Sequence, residues 1–599
     1  MPVPDPTNPA PDPTNPMSDP TNRQIADALD ELGDLYELDG AIIHRVIAYR
    51  TAARAVLDAS TSVAALARDG RATELPGIGK TLQEKLQALV ETGDIPAAVK
   101  LRARFPAGLV AITRLPGLGP KRARMLHAEL GIDSPEALRT AAVSHRLREI
   151  KGFGPKAEEN ILAALDAAEQ GDFGRRVTLD RALDTAEPIL AALRAHPAAV
   201  RVELAGSVRR WAESVKDLDI IATATDPAAL AAALEGVEEI ESVASGGEAG
   251  ARAVSHTGLK IDLRVVEPDQ FGNLLQHFTG SKAHNVALRE AAVRSGLHVS
   301  EYGVLDDATG VTHRCSTEAE VYELLGYAYI EPELREGRGE LEAAGEGLGE
   351  GEGLPLLVTE ADLRGDLHCH TTASDGHDSI QAMALAARDR GLEYLAITDH
   401  SASHGFGDDV SPAALERQID LVAAADAAIE GITLLAGSEV NILPDGSPDY
   451  DDDLLARLDW VIASVHTSFR MDEAEMTDRI VAAIEHPLID AIGHPTGRMI
   501  ERRAPYAVDM DRVIEAAART HTMLEINANP NRRDLSDVHA RAAAAAGAWI
   551  VINTDAHRAT GFDVMRYGVA TARRAWLGPR QIANTRPWTE FAGLRKRAR

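Results

Sequence analysis

The chain has 599 residues, 45% of them hydrophobic and 26% charged, with a formal net charge of −30. Only two cysteines occur, Cys315 and Cys369, which excludes a disulfide-built secreted scaffold and fits a reducing compartment. No apolar run reaches the roughly 18 residues a membrane-spanning helix needs, and the length suggests about three or four domains. An acidic average argues against a nucleic-acid partner, but the charge is uneven. Residues 71–156 hold 15 Lys and Arg against 8 Asp and Glu, a balance of +7, whereas residues 331–353 hold 8 Glu against 2 Arg, a balance of −6.

Residues 1–21 carry a near repeat, PDPTNPA then PDPTNPM, too polar and Pro-rich to pack; a disordered tail is expected, not a signal peptide. Residues 22–172 read as helical, with apolar residues at helical spacing in IADALDELGDLYEL and TLQEKLQALV. Residues 173–330 alternate helices with short apolar strand-like runs such as RVELAG, DLDIIATA and LKIDLRVV. The Glu- and Gly-rich stretch 331–361 suits a flexible linker. Residues 362–599 alternate strands (EYLAIT, WVIASV, MLEIN, WIVINT) with Ala-rich helices, which predicts βα units and a parallel sheet closed as a (β/α) barrel.

The helical region repeats one pattern three times: an apolar residue, G-x-G, then a helix start. The copies contain Gly77, Gly79 and Lys80; Gly117, Gly119, Lys121 and Arg122; and Gly152, Gly154 and Lys156. Two glycines let the backbone turn tightly and bring its N–H groups to a phosphate, and the helix N-terminus and following base add positive charge. Such hairpins would grip a sugar-phosphate chain without reading sequence. The third, with Glu158 and Glu159 close behind, is the least basic and reads as partly structural.

A second constellation follows the strand-like run RVELA. Gly206 and Ser207 sit where strand becomes helix, a seat for a triphosphate, and Arg209 or Arg210 can clamp a phosphate. Asp217 and Asp219 stand two apart, so both project from one strand face, and Asp262 in LKIDLRV is a third candidate. Carboxylates that converge repel unless cations lie between them. Two divalent ions about 4 Å apart would satisfy them and serve nucleotidyl transfer.

A third constellation gathers histidines. Eleven of the 20 lie after residue 361, many at expected strand ends: His368, His370, His400, His466, His494 and His557, joined by Asp375, Glu439 and Asp555. The C-terminal strand ends of a (β/α) barrel share one face, so these residues can meet there. Six imidazoles and three carboxylates suit Mn²⁺ or Zn²⁺, or Fe, and a metal-activated water would attack a phosphoester. Cys369, between two ligands, reads as core. Arg498, Arg532 and Arg533 are either DNA-phosphate contacts or solvated.

G-S-x-R-R followed by D-x-D, then HFTGSKAHN at His277–Asn285 and GYAYIEPELREGRGE at Gly326–Glu340, resemble the nucleotidyltransferase palm and thumb of a family X DNA polymerase; with the three hairpins ahead, which resemble helix-hairpin-helix motifs, they are similar to bacterial and archaeal members. Residues 362–599 resemble a PHP (polymerase and histidinol phosphatase) domain with all nine ligand positions present. The resemblance implies Asp217, Asp219 and Asp262 as catalytic ligands of Mg²⁺ or Mn²⁺. It implies Gly206, Ser207 and Arg210 at the triphosphate, Phe278, Thr279 and Gly280 along the incoming sugar, and Asn285 near the base. The family usually has Tyr where this chain has His277. Lys85 falls at the family's Schiff-base lysine for 5′-deoxyribose-phosphate removal, and the sequence leaves open whether the barrel cleaves abasic sites as an AP endonuclease. The PHP site is expected to hold three ions and to act as a 3′-to-5′ exonuclease. The expected whole is a monomeric, cytoplasmic, nucleoid-associated repair enzyme acting on gapped or nicked DNA with dNTPs. The alternatives are a PHP phosphoesterase or nuclease whose polymerase-like part only binds DNA, and a non-enzymatic repair scaffold.

Overall fold

The computed structural model describes residues 19–113, 115, 118–150, 152–169, 176–346, 353–403, 405 and 410–596. Gly117 and the expected N-terminal tail through residue 18 lie outside the described residues. The chain divides into two compact units: residues 1–175, 184–202 and 224–265 in the first, and residues 176–183, 203–223 and 266–599 in the second.

The first unit opens with helices packed on an aliphatic core that includes Ile25, Leu29, Leu32, Leu86, Leu118, Leu126 and Phe153. The first helix, Asn22–Leu38, starts in a capping box: the Thr21 side chain accepts from the Gln24 amide and Gln24 reaches back to the Thr21 amide. Buried Asn22 donates to the carbonyls of Ala59 (3.1 Å) and Thr61 (2.8 Å) and accepts from the Val63 amide (2.8 Å), so its burial costs little. The unit also carries an antiparallel meander of strands Ile240–Gly247, Gly250–Ser255 and Lys260–Val265.

In the second unit, helices Phe271–Thr279 and Lys282–Arg294 lead into a three-stranded antiparallel sheet of Leu297–Ser300, Gly303–Asp306 and Thr312–His313. Helix Glu318–Leu324 follows. Its first residue anchors a buried charge cluster. Arg209 donates to both Glu318 carboxylate oxygens (2.8 and 2.6 Å), and Arg335, fully buried, pairs with the same carboxylate. The Arg335 guanidinium also lies over the rings of Tyr322 and Tyr329, 5.1 and 5.4 Å from their centroids.

This corrects the expected linker over residues 331–346, while its residues 347–352 lie outside the described residues. Residues 331–346 are folded: Pro332–Leu334 forms a 3₁₀ turn and Glu340–Glu346 a helix. Buried Glu340 accepts from the amides of Gly337 (2.7 Å) and Arg338 (2.6 Å) and contacts His284 Nδ1 at 2.7 Å. The glutamates that read as solvated are in part internal counter-charges.

The rest of the second unit is a barrel of seven parallel strands in sequential order: β1 (Gly365–Asp366), β2 (Tyr394–Ile397), β3 (Thr433–Asn441), β4 (Trp460–Ser464), β5 (Ala491–Ile492), β6 (Met523–Asn527) and β7 (Ile550–Asn553). A parallel bridge from Cys369 to Ala556 joins the first edge to the last. The strands are buried on both faces, which is why they read as continuous apolar runs. Trp460 and Ile462 pack with Tyr394, Ala396 and Leu435 in one cluster, while their neighbours Val461 and Ala463 join the larger layer that includes Ile480, Val513 and Leu524. Cys369 is fully buried, as expected.

Replacing Glu318 with Ala should strip buried Arg335 of its counter-charge and cost about 3–5 kcal/mol. Urea denaturation of the full chain checks this; a loss below about 1 kcal/mol, the value of an exposed pair, would contradict the buried cluster.

Candidate functional site

Eight of the nine barrel ligands expected from sequence lie at or just beyond a strand end, and Asp375 lies in the loop between β1 and the helix Ile380–Asp389. His368 and His370 follow β1, His400 follows β2, Glu439 lies near the end of β3, His466 follows β4, His494 follows β5, and Asp555 and His557 follow β7. Their ligand atoms form four overlapping donor groups able to hold a metal ion: His370, Asp375, His400 and His557; His368, Glu439 and His494; His368, His370 and Asp555; and His400, Glu439 and His466. All nine expected residues are represented.

Glu439 sits at the centre. Its carboxylate oxygens lie 2.8 Å from His400 Nδ1, 2.9 Å from His494 Nε2, 3.2 Å from His466 Nε2 and 3.4 Å from His368 Nε2. On the other side, His557 and His400 lie 3.3 and 3.6 Å from Asp375, and His370 lies 3.1 Å from Asp555. Burial alone would push the Glu439 carboxyl up, but His466, His368 and His400 outweigh it and hold it well below the usual range. Burial, together with His400 and His557, drives His370 down to about 4. Burial also lowers His400, but Glu439 and Asp375 outweigh it and lift this neighbour to about 10.

The donor set fits divalent cations. His370 Nδ1 and His494 Nδ1 are buried with no hydrogen-bond partner, and Glu439 Oε2 meets imidazole nitrogens without hydrogen-bond geometry. Atoms of this kind, buried at such density, are costly unless something outside the chain's own hydrogen-bond inventory satisfies them.

One functional residue escaped the sequence reading. Glu525, on β6, is fully buried and carries a fixed network: His368 Nδ1 at 2.7 Å, the His494 amide at 2.7 Å, and the side-chain amides of Asn553 (3.0 Å) and Asn527 (3.2 Å). Such a carboxylate orients His368 so that Nε2 faces the centre. The available signal was one acid inside the apolar strand run MLEIN.

Around residue 206, chain geometry favours a carboxylate site. Gly206 has φ +64, and a Cβ there would come within 2.3 Å of Asp219 Oδ2. Only glycine permits this approach. The Ala205 amide donates to the Asp219 carbonyl at 2.8 Å, fixing the 206–210 turn beside the strand Asp217–Ala224. Asp217 and Asp219 alternate with buried Leu218 and so share a face. Asp262 lies in the first unit, on Lys260–Val265, and pairs with Arg264 at 2.9 Å. Arg210 donates to Glu336 Oε1 (3.0 Å) and to the Thr279 carbonyl (2.7 Å), and the Thr279 hydroxyl accepts from Arg209 (2.8 Å). Asn285 donates to the carbonyls of His277 (2.7 Å) and Gly280 (3.2 Å), holding the helix end that contains Phe278. His277 Nδ1 lies 2.9 Å from an Arg289 nitrogen. Ser207 is half-buried.

The three hairpins share one turn: the amides of Ile78, Leu118 and Phe153 donate to the carbonyls of Leu75, Leu115 and Ile150 at 3.0–3.1 Å. Those three apolar tips are buried, while Lys80, Lys121, Arg122 and Lys156 are exposed. In the third hairpin, Glu158 turns inward to Arg148 and to His145 at 3.2 Å. Gly77 and Gly152 need glycine, with φ of +80 and +97. Gly79, Gly119 and Gly154 do not have positive φ, and a Cβ on them would meet nothing within 4 Å. Lys85 is half-buried on the helix Lys80–Thr92.

Two of the three barrel arginines, Arg498 and Arg533, differ from either expectation. Arg498 is bound to Glu213 (3.0 and 2.5 Å), and Arg533 is fully buried. Arg532 lies 3.6 Å from Asp555.

Comparison with known proteins agrees with this layout. Residues 20–95 match the model of a helix-hairpin-helix domain, 110–167 a SAM-like helix-hairpin-helix tandem, 274–336 the DNA polymerase beta thumb and 366–529 the PHP domain. The chain is 37% identical over 577 residues to the DNA polymerase/3′-5′ exonuclease PolX of Bacillus subtilis, covering 96% of this chain and 99% of that one. Part of the chain is similar to probable phosphatases of Shewanella sediminis (30% identity; 39% of this chain, 94% of the relative) and Caldanaerobacter subterraneus (33% identity; 34% and 80%). Aligned over nearly its whole length with such a polymerase, and carrying the thumb and PHP modules in that order, the chain belongs to the family X DNA polymerases with a C-terminal PHP domain.

Proposed function

We propose that this repair polymerase fills short gaps in duplex DNA at the 206–262 centre and trims 3′ ends at the barrel centre. Two centres support it: a first where the Asp219 carboxylate crowds Gly206 so closely that only glycine fits, and a second, which carries the reading, where nine donors gather in four overlapping groups at the barrel strand ends. In the first, Asp217, Asp219 and Asp262 would hold Mg²⁺ or Mn²⁺. Ser207 and Arg210 would receive the triphosphate of a dNTP in a pocket shaped by Gly206, Phe278, Thr279, Gly280 and Asn285. Bound cations would supply charge neutralisation and acidify the primer hydroxyl. The primer 3′-oxygen then attacks the α-phosphate in line and pyrophosphate leaves. Arg210, now tied to Glu336, would turn its guanidinium to the phosphates. With His277 at the sugar side, ribose exclusion would rest on the backbone of Phe278–Gly280.

In the barrel, three ions, Mn²⁺, Zn²⁺ or Fe, would be shared among the nine donors, with Glu439 common to two of the groups. They would supply an activated water for phosphodiester hydrolysis. Glu525 would keep His368 in the liganding tautomer.

The hairpins would hold the DNA backbone. The second glycine of each is required neither by its φ nor by internal packing, which leaves close approach of an external group as its physical use. A lyase step at Lys85 is assigned by resemblance only. No helix among the described residues is long and apolar enough to cross a membrane.

Two outcomes test this reading. Asp219→Ala should abolish primer extension on a gapped duplex and leave 3′ degradation intact, and His368→Ala should do the reverse; loss of both activities in either variant would break the two-centre account. Gly79→Ser and Gly119→Ser should weaken binding to nicked DNA about tenfold while leaving the melting temperature within about 2 °C, because Ser caps a helix at least as well as Gly. Fluorescence anisotropy measures the first quantity, and unchanged affinity would remove the hairpins from the interface.

A further inference from the structure

The segment Arg210–Glu213, directly behind the proposed triphosphate seat, is held by the PHP domain at four points. Arg574 donates to the Arg210 carbonyl at 2.8 Å, and Arg533 donates to the Trp211 carbonyl at 2.9 Å. Arg498 binds the Glu213 carboxylate with two bonds. The Trp211 ring meets Tyr567 edge to face, 5.9 Å between centroids. Trp211 has φ +55, a conformation a bulky residue keeps only when its surroundings impose it. The three arginines form one assembly: Arg498 donates to the Arg533 carbonyl, Arg533 to the Thr571 hydroxyl (2.9 Å), and Thr571 shares a helix with Arg574.

Glu336 is the pivot. Its Oε1 accepts from Arg210 at 3.0 Å and from Arg574 at 2.7 Å, and Arg574 is anchored in turn by Asp537 at 3.1 Å. Glu336 and Arg574 are largely buried, with 17% and 8% of their side chains exposed. A triphosphate that draws the Arg210 guanidinium away would strand the Glu336 carboxylate in a poorly solvated place. Arg574 prevents this, because it stays on Glu336 while gripping the carbonyl of the residue that leaves.

We propose that Arg574 of the PHP domain is a positioning residue for DNA synthesis: it neutralises Glu336 so that Arg210 can be released to the incoming nucleotide, while Arg498 and Arg533 fix the backbone from which Arg210 reaches. The exonuclease domain is thereby part of the polymerase's nucleotide pocket. This rests on the reading of Arg210 as a triphosphate ligand.

The test uses the full-length enzyme, a gapped duplex and one complementary dNTP. Arg574→Gln should raise KM for the dNTP about tenfold with kcat changed less than about twofold, because Glu336 then keeps Arg210 for itself. Degradation of a 3′ end should proceed at the wild-type rate, reporting a folded barrel. Adding Glu336→Gln to Arg574→Gln should return KM to near the wild-type value, a rescue that mere structural damage would not show. An unchanged KM in Arg574→Gln, or a raised KM that Glu336→Gln does not rescue, overturns the proposal. If Arg574→Gln fails to fold, Glu336→Gln alone decides: KM should fall below the wild-type value, and an unchanged or raised KM overturns the proposal. Arg210→Ala separates the two levels. If it leaves KM for dNTP unaltered, the reading of Arg210 itself is wrong; if it raises KM while Arg574→Gln does not, only the present inference fails.

Discussion

A buried carboxylate ringed by imidazoles governs the C-terminal half of this protein. Glu439 lies within 3.4 Å of nitrogens from four different histidines, each delivered by a different strand end. Protons cannot satisfy such a cluster evenly. His370 is pushed down and His400 pulled up although their ring centroids lie 4.4 Å apart. Divalent cations would resolve the conflict, since each would give several donors one shared partner. The barrel supplies the geometry: its parallel strands run in sequential order and end on one face, so residues nearly two hundred positions apart arrive at one mouth.

The same principle operates in weaker form at Asp219, where a carboxylate crowds the backbone of Gly206 so closely that no side chain fits between them. It operates in a structural mode in the thumb. There Glu318 serves two arginines and Glu336 serves two more, so internal charge balance, not solvation, accounts for much of the acidity around residues 318–340. One of those acids, Glu336, is shared between Arg210 and Arg574, which couples segments that look separate in sequence.

What was legible in the sequence follows from what chemistry demands locally. Eight of the nine ligands were readable because each stands at or just beyond the end of an apolar strand run, and the first and third hairpins because glycine is required at a positive φ in Gly77 and Gly152. The expected linker misled for a physical reason: composition counts glutamates but does not show their partners, and Glu333, Glu336 and Glu340 find Arg573, Arg574 and His284 across the fold. Arg498 and Arg533 were misread likewise, since long-range pairing turned apparent phosphate contacts into internal ties. Glu525 was missed because a single acid in a strand resembles an exposed edge residue until burial is known.

The central claim is that the barrel's clustered donors exist to hold cations, and metal content tests it most directly. Elemental analysis of the full-length protein, dialysed and then loaded with Mn²⁺, should give more than one ion per chain for the wild type and a clear loss of ions for Glu439→Gln. A wild-type protein that stays folded with no bound metal under those conditions, or a Glu439→Gln variant that retains the full complement, would contradict the account.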